Sequence, residues 1–196
     1  MLSISIQAGG QSSRMGRDKA LMPFLGQPLI HRVMERLQPI ADEILITTNH
    51  PEAYTFLGVP IFKDIIPDAG ALGGLYTALK VSSNPIVAVV ACDLPFANPN
   101  LLAACRDLMD ENRYDAVIPS GANGLEPLHA VYRVEGCFLP VQTALETGKR
   151  RVISWHEGAD IHILPTRETA RYDPHDITFW NVNTMEEFRE AEKLAQ

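Results

Sequence analysis

Two adjacent glycines, Gly9 and Gly10, a third at Gly16, and the cations Arg14, Arg17 and Lys19 fall within one stretch directly after the apolar run at residues 2–6. Glycine lets a backbone approach a ligand closely, and successive free N–H groups make a concavity that binds anions. Arginine and lysine add positive charge where a phosphate chain would lie. The stretch therefore predicts a nucleotide-binding loop whose chemistry concerns phosphates. It is not a P-loop, because Lys19 is followed by Ala20 rather than Ser or Thr, and its glycine spacing does not fit the dinucleotide fingerprint.

Five further groups could complete such a site. Asp93, in Cys92-Asp-Leu-Pro95, follows the apolar run 86–91. A single carboxylate there suits Mg²⁺, which takes one or two protein carboxylates and fills its shell with phosphates and water. Asp64 ends another short run and is expected to face the same crevice. Gly70-Ala-Leu-Gly-Gly74 opens a helix whose N-terminus could meet an anion; tight helix–sheet packing explains these glycines equally well. Lys149-Arg150-Arg151 is a basic cluster before an expected short helix at 151–155, the unfavourable end for cations, which suggests a second anionic group. Asn181 and Asn183, in Asn-Val-Asn-Thr184, offer donors and acceptors suited to a heterocycle, or else turn and cap chemistry.

Alternating strands and helices must hold these residues. Strands are expected at 2–6, 43–48, 60–62, 86–91, 115–118, 128–132 and 161–164, with a strand-like segment at 177–180. Helices are expected at 28–40, 71–81, 99–111, 135–145 and 151–155, and a last one after the capping box Thr184-Met-Glu-Glu187. The pattern predicts an α/β fold: a three-layer α/β/α, doubly wound, mostly parallel sheet forming a single domain over residues 1–196. Ligands of such sheets sit beyond the carboxyl ends of the strands at the point where strand order reverses. That rule sets Asp93 opposite the glycine loop.

Composition narrows the partners. A net charge of −7 argues against a surface that greets nucleic acid or an anionic membrane. The longest apolar stretch, 86–92, is far short of a bilayer span. The N-terminus lacks the pattern of a secretory signal. Cys92, Cys105 and Cys137 are scattered and odd in number, as expected of free thiols in a reducing cytoplasm. The six histidines show no metal-ligand spacing.

Taken together, these motifs resemble the molybdenum cofactor guanylyltransferase family (MobA-like). Its nucleotide loop, L-A-G-G-x-x-x-R-M-G-x-D-K, is matched at Ala8, Gly9, Gly10, Arg14, Met15, Gly16, Asp18 and Lys19. Cys92-Asp-Leu-Pro95, Arg150-Arg-Val152 and Phe179-Trp-Asn-Val-Asn-Thr-Met-Glu-Glu187 match later family motifs in order. The resemblance implies GTP contacts at Gln7, Ala8, Gly9, Lys19, Asp64 and Asp93, with Gly10 in the same loop, Mg²⁺ on Asp93, and Arg14 steadying the triphosphate. It sets Arg150, Arg151, Asn181 and Asn183 on the molybdopterin side. Gln7 stands where the family has leucine. Thr47 stands where some members have a nucleotide-binding asparagine, and Asn49 is its expected substitute. Glu126-Pro-Leu128 replaces a His-Pro-Thr-like segment.

The implied reaction is transfer of GMP from GTP to molybdopterin with release of pyrophosphate, in the cytoplasm. Molybdoenzyme apo-proteins and other cofactor-assembly proteins are further implied partners. Rival readings are a cytidylyltransferase for the same pterin, a sugar-phosphate or cobinamide-phosphate nucleotidyltransferase, and a nucleotide-binding adaptor that delivers cofactor without catalysis. Retention of both Lys19 and Asp93 favours catalysis.

Overall fold

The computed structural model describes residues 1–8 and 18–196. Its strands are β1 (Leu2–Gln7), β2 (Pro23–Phe24), β3 (Gln27–Pro28), β4 (Glu43–Thr48), β5 (Ile61–Lys63), β6 (Ile86–Ala91), β7 (Ala116–Gly121), β8 (Gly124–Leu125), β9 (His129–Arg133) and β10 (Ile161–Leu164). The helices are α1 (Leu29–Leu37), α2 (Gly70–Val81), α3 (Pro99–Asn112), α4 (Val134–Glu146), α5 (Thr166–Thr169) and α6 (Met185–Leu194). The main sheet has the order β10-β7-β9-β6-β1-β4-β5, with β8 paired to β7. It is parallel except for β9, which runs against β6 and β7, and β8. The expected three-layer, doubly wound, mostly parallel architecture is present.

Side-chain alternation along the strands creates the layers. Leu2, Ile4 and Ile6 of β1, with Ala88 and Val90 of β6, join one core beside α1 and α3. Val87 and Val89 of β6 point the other way, into a core with α2 and α4. Ser3 and Ser5 are buried on the opposite face of β1 and are satisfied there: Ser3 by Glu43 and Asn84, Ser5 by Thr47. A third cluster packs Phe24 and Leu29 against Phe96, Val182 and Phe188, fastening α6 beside the sheet's carboxyl edge.

Several elements differ from expectation for identifiable reasons. Helix α1 stops at Leu37 and continues as a 3₁₀ turn at Gln38–Ile40, because Pro39 has no N–H to extend the α-helical ladder. The stretch 151–155 is a run of turns rather than a helix; Trp155 is drawn into the α2/α4 core and its indole N–H donates to the Val152 carbonyl at 2.8 Å. The segment 177–180 is not a strand. The Asp173 carboxylate accepts from the backbone N–H groups of Ile177 (3.2 Å) and Thr178 (2.8 Å), which takes the donors a ladder would use. The β2–β3 hairpin was not anticipated: it turns on Leu25 and Gly26, both at positive φ, the two-residue geometry that matches strand twist. Among the described residues no helix is long and apolar enough to cross a membrane.

α3 begins as expected, with the Asn98 side chain accepting from the N–H groups of Asn100 and Leu101 behind Pro99. Its start is also tied to the sheet. The Asn98 N–H donates to Nε2 of His129, a fully buried residue of β9, at 2.9 Å. Burial pushes the His129 imidazole down to about 4, and a proton on Nε2 would remove the acceptor that Asn98 uses. The folded state therefore binds fewer protons than the unfolded chain between pH 6.5 and 4. Stability conferred by neutral His129 is complete above that window and falls as the pH drops through it, by up to about 3 kcal/mol. Urea titrations of wild type and His129→Gln at pH 7.5 and 4.5 are expected to show a smaller acid loss in the variant; parallel losses would refute the assignment.

Candidate active site

Three parallel strands end level with one another. Gln7 of β1 is in register with Thr47 of β4 and with Ala91 of β6. The ladder extends one residue further on each side: the Ala8 N–H donates to the Thr47 carbonyl at 2.8 Å, and the Cys92 N–H to the Gln7 carbonyl at 3.1 Å. On the far side of β4, Asp64 N–H donates to the Thr48 carbonyl at 3.1 Å, so Asp64 leaves β5 at the same edge. Strand order reverses between β1 and β6, where a doubly wound sheet opens its crevice.

A cavity of about 800 Å³ occupies this edge, and its lining includes Gln7, Ala8, Lys19, Asn49, Asp64, Asp93 and Asn181. Seven residues expected to bind ligand are thus brought together from five separate stretches of sequence. Gly9, Gly10 and Arg14 lie outside the described residues.

Lys19 is held from two directions. Its ammonium donates to Oδ1 of Asn183 at 2.6 Å and lies 3.6 Å from Oδ2 of Asp93. Both charged side chains keep a minority of their surface exposed. Burial pushes the Asp93 carboxyl above its ordinary range, and neighbouring Lys19 pulls it back. Asp64 is raised by burial, and its Oδ1 is buried with no hydrogen-bond partner among the described residues.

Asn183 reaches Lys19 because its backbone is anchored twice. The N–H groups of Asn183 and Thr184 both donate to the Glu187 carboxylate, which completes the expected capping box of α6. Buried Val182 donates its N–H to the Asp93 carbonyl at 3.1 Å. The Asn-Val-Asn segment is therefore attached directly to the strand end that carries Asp93.

At the opposite wall, α2 presents Gly70 and Ala71 to the cavity, and among the described residues no side chain caps its N-terminus. Gly70 has φ +61°, the left-handed region glycine favours. Gly74 serves packing: a Cβ there would meet the Gln7 carboxamide at 2.7 Å. The Gln7 amide sits over the helix and donates to the Ala71 carbonyl at 3.5 Å.

Arg150 and Arg151 are exposed and do not line the cavity. Arg150 donates to the carbonyls of Leu145 and Lys149, at the C-terminal end of α4, where a cation is favoured. The anticipated conflict with a helix N-terminus is absent because 151–155 is not a helix. The backbone carbonyl of Arg150 nevertheless lies near Gly70, which lines the cavity.

Lys63, His50 and Asp68 also line the cavity and were missed. The signal for Lys63 was present in the sequence: it ends the same parallel strand that delivers Asp64. Of the segment Glu126-Pro-Leu128, Leu128 reaches the cavity, while Glu126, half-buried and close to Asp176, is pushed up to about 7.

Comparison with known proteins follows the same lines. The MobA-like NTP transferase domain matches residues 4–160. A protein of Carboxydothermus hydrogenoformans named "probable molybdenum cofactor guanylyltransferase" is 33% identical over 195 residues, covering 98% of this chain and 96% of its own. One of the same name from Peptoclostridium acidaminophilum is 33% identical over 199 residues, covering 99% of this chain and 90% of its own. In structure, molybdopterin-guanine dinucleotide biosynthesis protein A from Archaeoglobus fulgidus superposes with a TM-score of 0.85 at 23% identity, covering 98% of both chains, a likeness of fold.

Proposed function

The chain belongs to the MobA-like NTP transferase family and is a nucleotidyltransferase; on that premise we propose that it transfers GMP from GTP to the terminal phosphate of molybdopterin. The products are pyrophosphate and the guanine dinucleotide form of the cofactor. The observation that carries this reading is the meeting of Lys19, Asp93 and Asn183. It joins the nucleotide loop, the carboxylate at the end of β6 and the acceptor-side asparagine at one point. The relatives' names supply the base and the acceptor.

In this reaction an oxygen of the molybdopterin phosphate forms a bond to the α-phosphorus of GTP. The bond from that phosphorus to the α–β bridging oxygen breaks, and its electron pair leaves with pyrophosphate. The nucleophile is already an anion, so no side chain has to remove a proton. The protein's task is to hold two anions together and to offset charge as it moves onto the leaving group. Lys19 does this at the cavity, and Arg14 steadies the triphosphate from the glycine loop with the backbone of Gln7, Ala8, Gly9 and Gly10. Asn49 and Asp64 hold the nucleoside side. Arg150, Arg151, Asn181 and Asn183 receive the pterin.

The donor set suits Mg²⁺. Among the described residues there is no group of three or more His, Cys, Asp or Glu that would cage a metal. Asp93 faces the cavity, and Asp64 there carries a buried oxygen with no partner among the described residues. One or two carboxylates are what Mg²⁺ takes when substrate phosphates supply the rest. Asp93 would hold it, and when bound it would neutralise charge on the phosphate oxygens. The proposed setting is the cytoplasm, where the free thiols Cys92, Cys105 and Cys137 stay reduced. Molybdoenzyme apo-proteins, with other cofactor-assembly proteins, would take the product.

Following the label from α-³²P GTP tests the group transferred. Label is expected to move into a pterin product that phosphatase does not release. Label recovered only as free GMP would mean hydrolysis and would contradict transfer.

A further inference from the structure

Tyr54 has no place in the proposed reaction, yet it is built into the support of Lys19. It lies in the 3₁₀ segment Pro51–Leu57, just beyond the cavity-lining Asn49 and His50, and its side chain is fully buried. Its hydroxyl donates to Oδ2 of Asp18 at 2.5 Å. The other oxygen of the same carboxylate, Oδ1, accepts from the Ala20 N–H at 3.1 Å and caps the single turn Lys19–Leu21. Asp18 is thus held on both oxygens. One tie comes from the turn that carries Lys19, and the other from the segment that follows β4.

We propose that Tyr54 is a positioning residue: through Asp18 it fixes the turn from which Lys19 reaches the phosphate chain. A turn of three residues has little rigidity of its own. Without the Tyr54 bond, one carboxylate oxygen in the cavity wall loses its partner among the described residues, and the hold on the Asp18 rotamer is weakened. Lys19 has a long flexible stem, so its placement depends on where its backbone is held. Burial and the neighbouring Asp18 carboxylate push the Tyr54 phenol up, so it remains a donor throughout the working pH range. The bond also joins the loops after β1 and β4, which brings the backbone next to Asn49 into the same support.

The inference rests on the reading of Lys19 as a phosphate contact, and the test separates the two. Binding of inorganic triphosphate to the full chain is measured by calorimetry for wild type, Tyr54→Phe, Lys19→Gln and the double variant, below the unfolding temperature of each. Tyr54→Phe is expected to weaken binding about tenfold, the scale of one hydrogen bond to a charged group. Added to Lys19→Gln, it is expected to cost nothing further. Wild-type affinity in Tyr54→Phe beside a loss in Lys19→Gln overturns the positioning role, as do losses that multiply in the double variant. Unchanged affinity in Lys19→Gln overturns both readings. Should Tyr54→Phe fail to fold, Asp18→Ala breaks the same bond with Tyr54 still packed. It removes a negative charge from the cavity wall, so electrostatics alone would tighten triphosphate binding. Positioning predicts weaker binding, and tighter binding would overturn it.

Discussion

Asp93→Ala is expected to lower turnover by about a thousandfold or more while the protein stays folded. The fold should survive because the structural work of this position is done by its backbone: the Asp93 carbonyl accepts from Val182, and the preceding strand β6 is buried throughout. The carboxylate is held for another purpose. It is kept in a largely buried place at an energetic cost, seen in its raised pKa, with Lys19 beside it. A largely buried carboxylate maintained next to a cation in the lining of a cavity of about 800 Å³ is expected to act on ligand charge. Alanine would remove the proposed ligand for Mg²⁺ and, among the described residues, leave Asn183 as the side-chain partner of Lys19. The measurement is the steady-state rate of pyrophosphate release, with circular dichroism to establish folding. A folded variant with near wild-type kcat would end the assignment of Asp93.

Lys19→Met is expected to lower kcat about a hundredfold or more, with a smaller rise in the KM for GTP. Methionine keeps an unbranched stem but offers no donor. Charge on the β-phosphate grows as pyrophosphate departs, so the loss falls more on the transition state than on binding. Arginine should not restore the rate. The site accepts an ammonium 2.6 Å from Asn183 Oδ1 and 3.6 Å from Asp93 Oδ2, and a planar guanidinium fork cannot take the place of that compact charge. If Lys19→Met changed only KM, the lysine would be a binding residue and no more.

The strands that build the crevice were legible because they are short apolar runs with clear limits. β4, β6 and β10 fall where patterning put them, and the Asn98-Pro99 and Thr184–Glu187 caps mark their helices by side-chain chemistry alone. What patterning missed was decided by tertiary contacts. Trp155 is drawn into a core and unwinds an expected helix, and Asp173 claims the amides of an expected strand. The same division holds at the site. Asp64 and Asp93 could be placed because they follow strands whose carboxyl ends converge, and Gln7 and Asn49 through the family resemblance. The contact between Lys19 and Asn183, 164 residues apart, could not be read, because it depends on the docking of α6 through Phe188 and Val182. Nor could the burial of the Asp64 carboxylate or the Tyr54–Asp18 bond, which exist only once β4 and β5 lie beside β1.

The most direct test is pyrophosphate release in the presence of Mg²⁺ and molybdopterin, with GTP, CTP and ATP compared side by side. Release with GTP alone, lost in Asp93→Ala, is the predicted result. Release with CTP in place of GTP would contradict the guanine assignment, and no release from any of the three, despite bound GTP, would contradict guanylyl transfer to this acceptor.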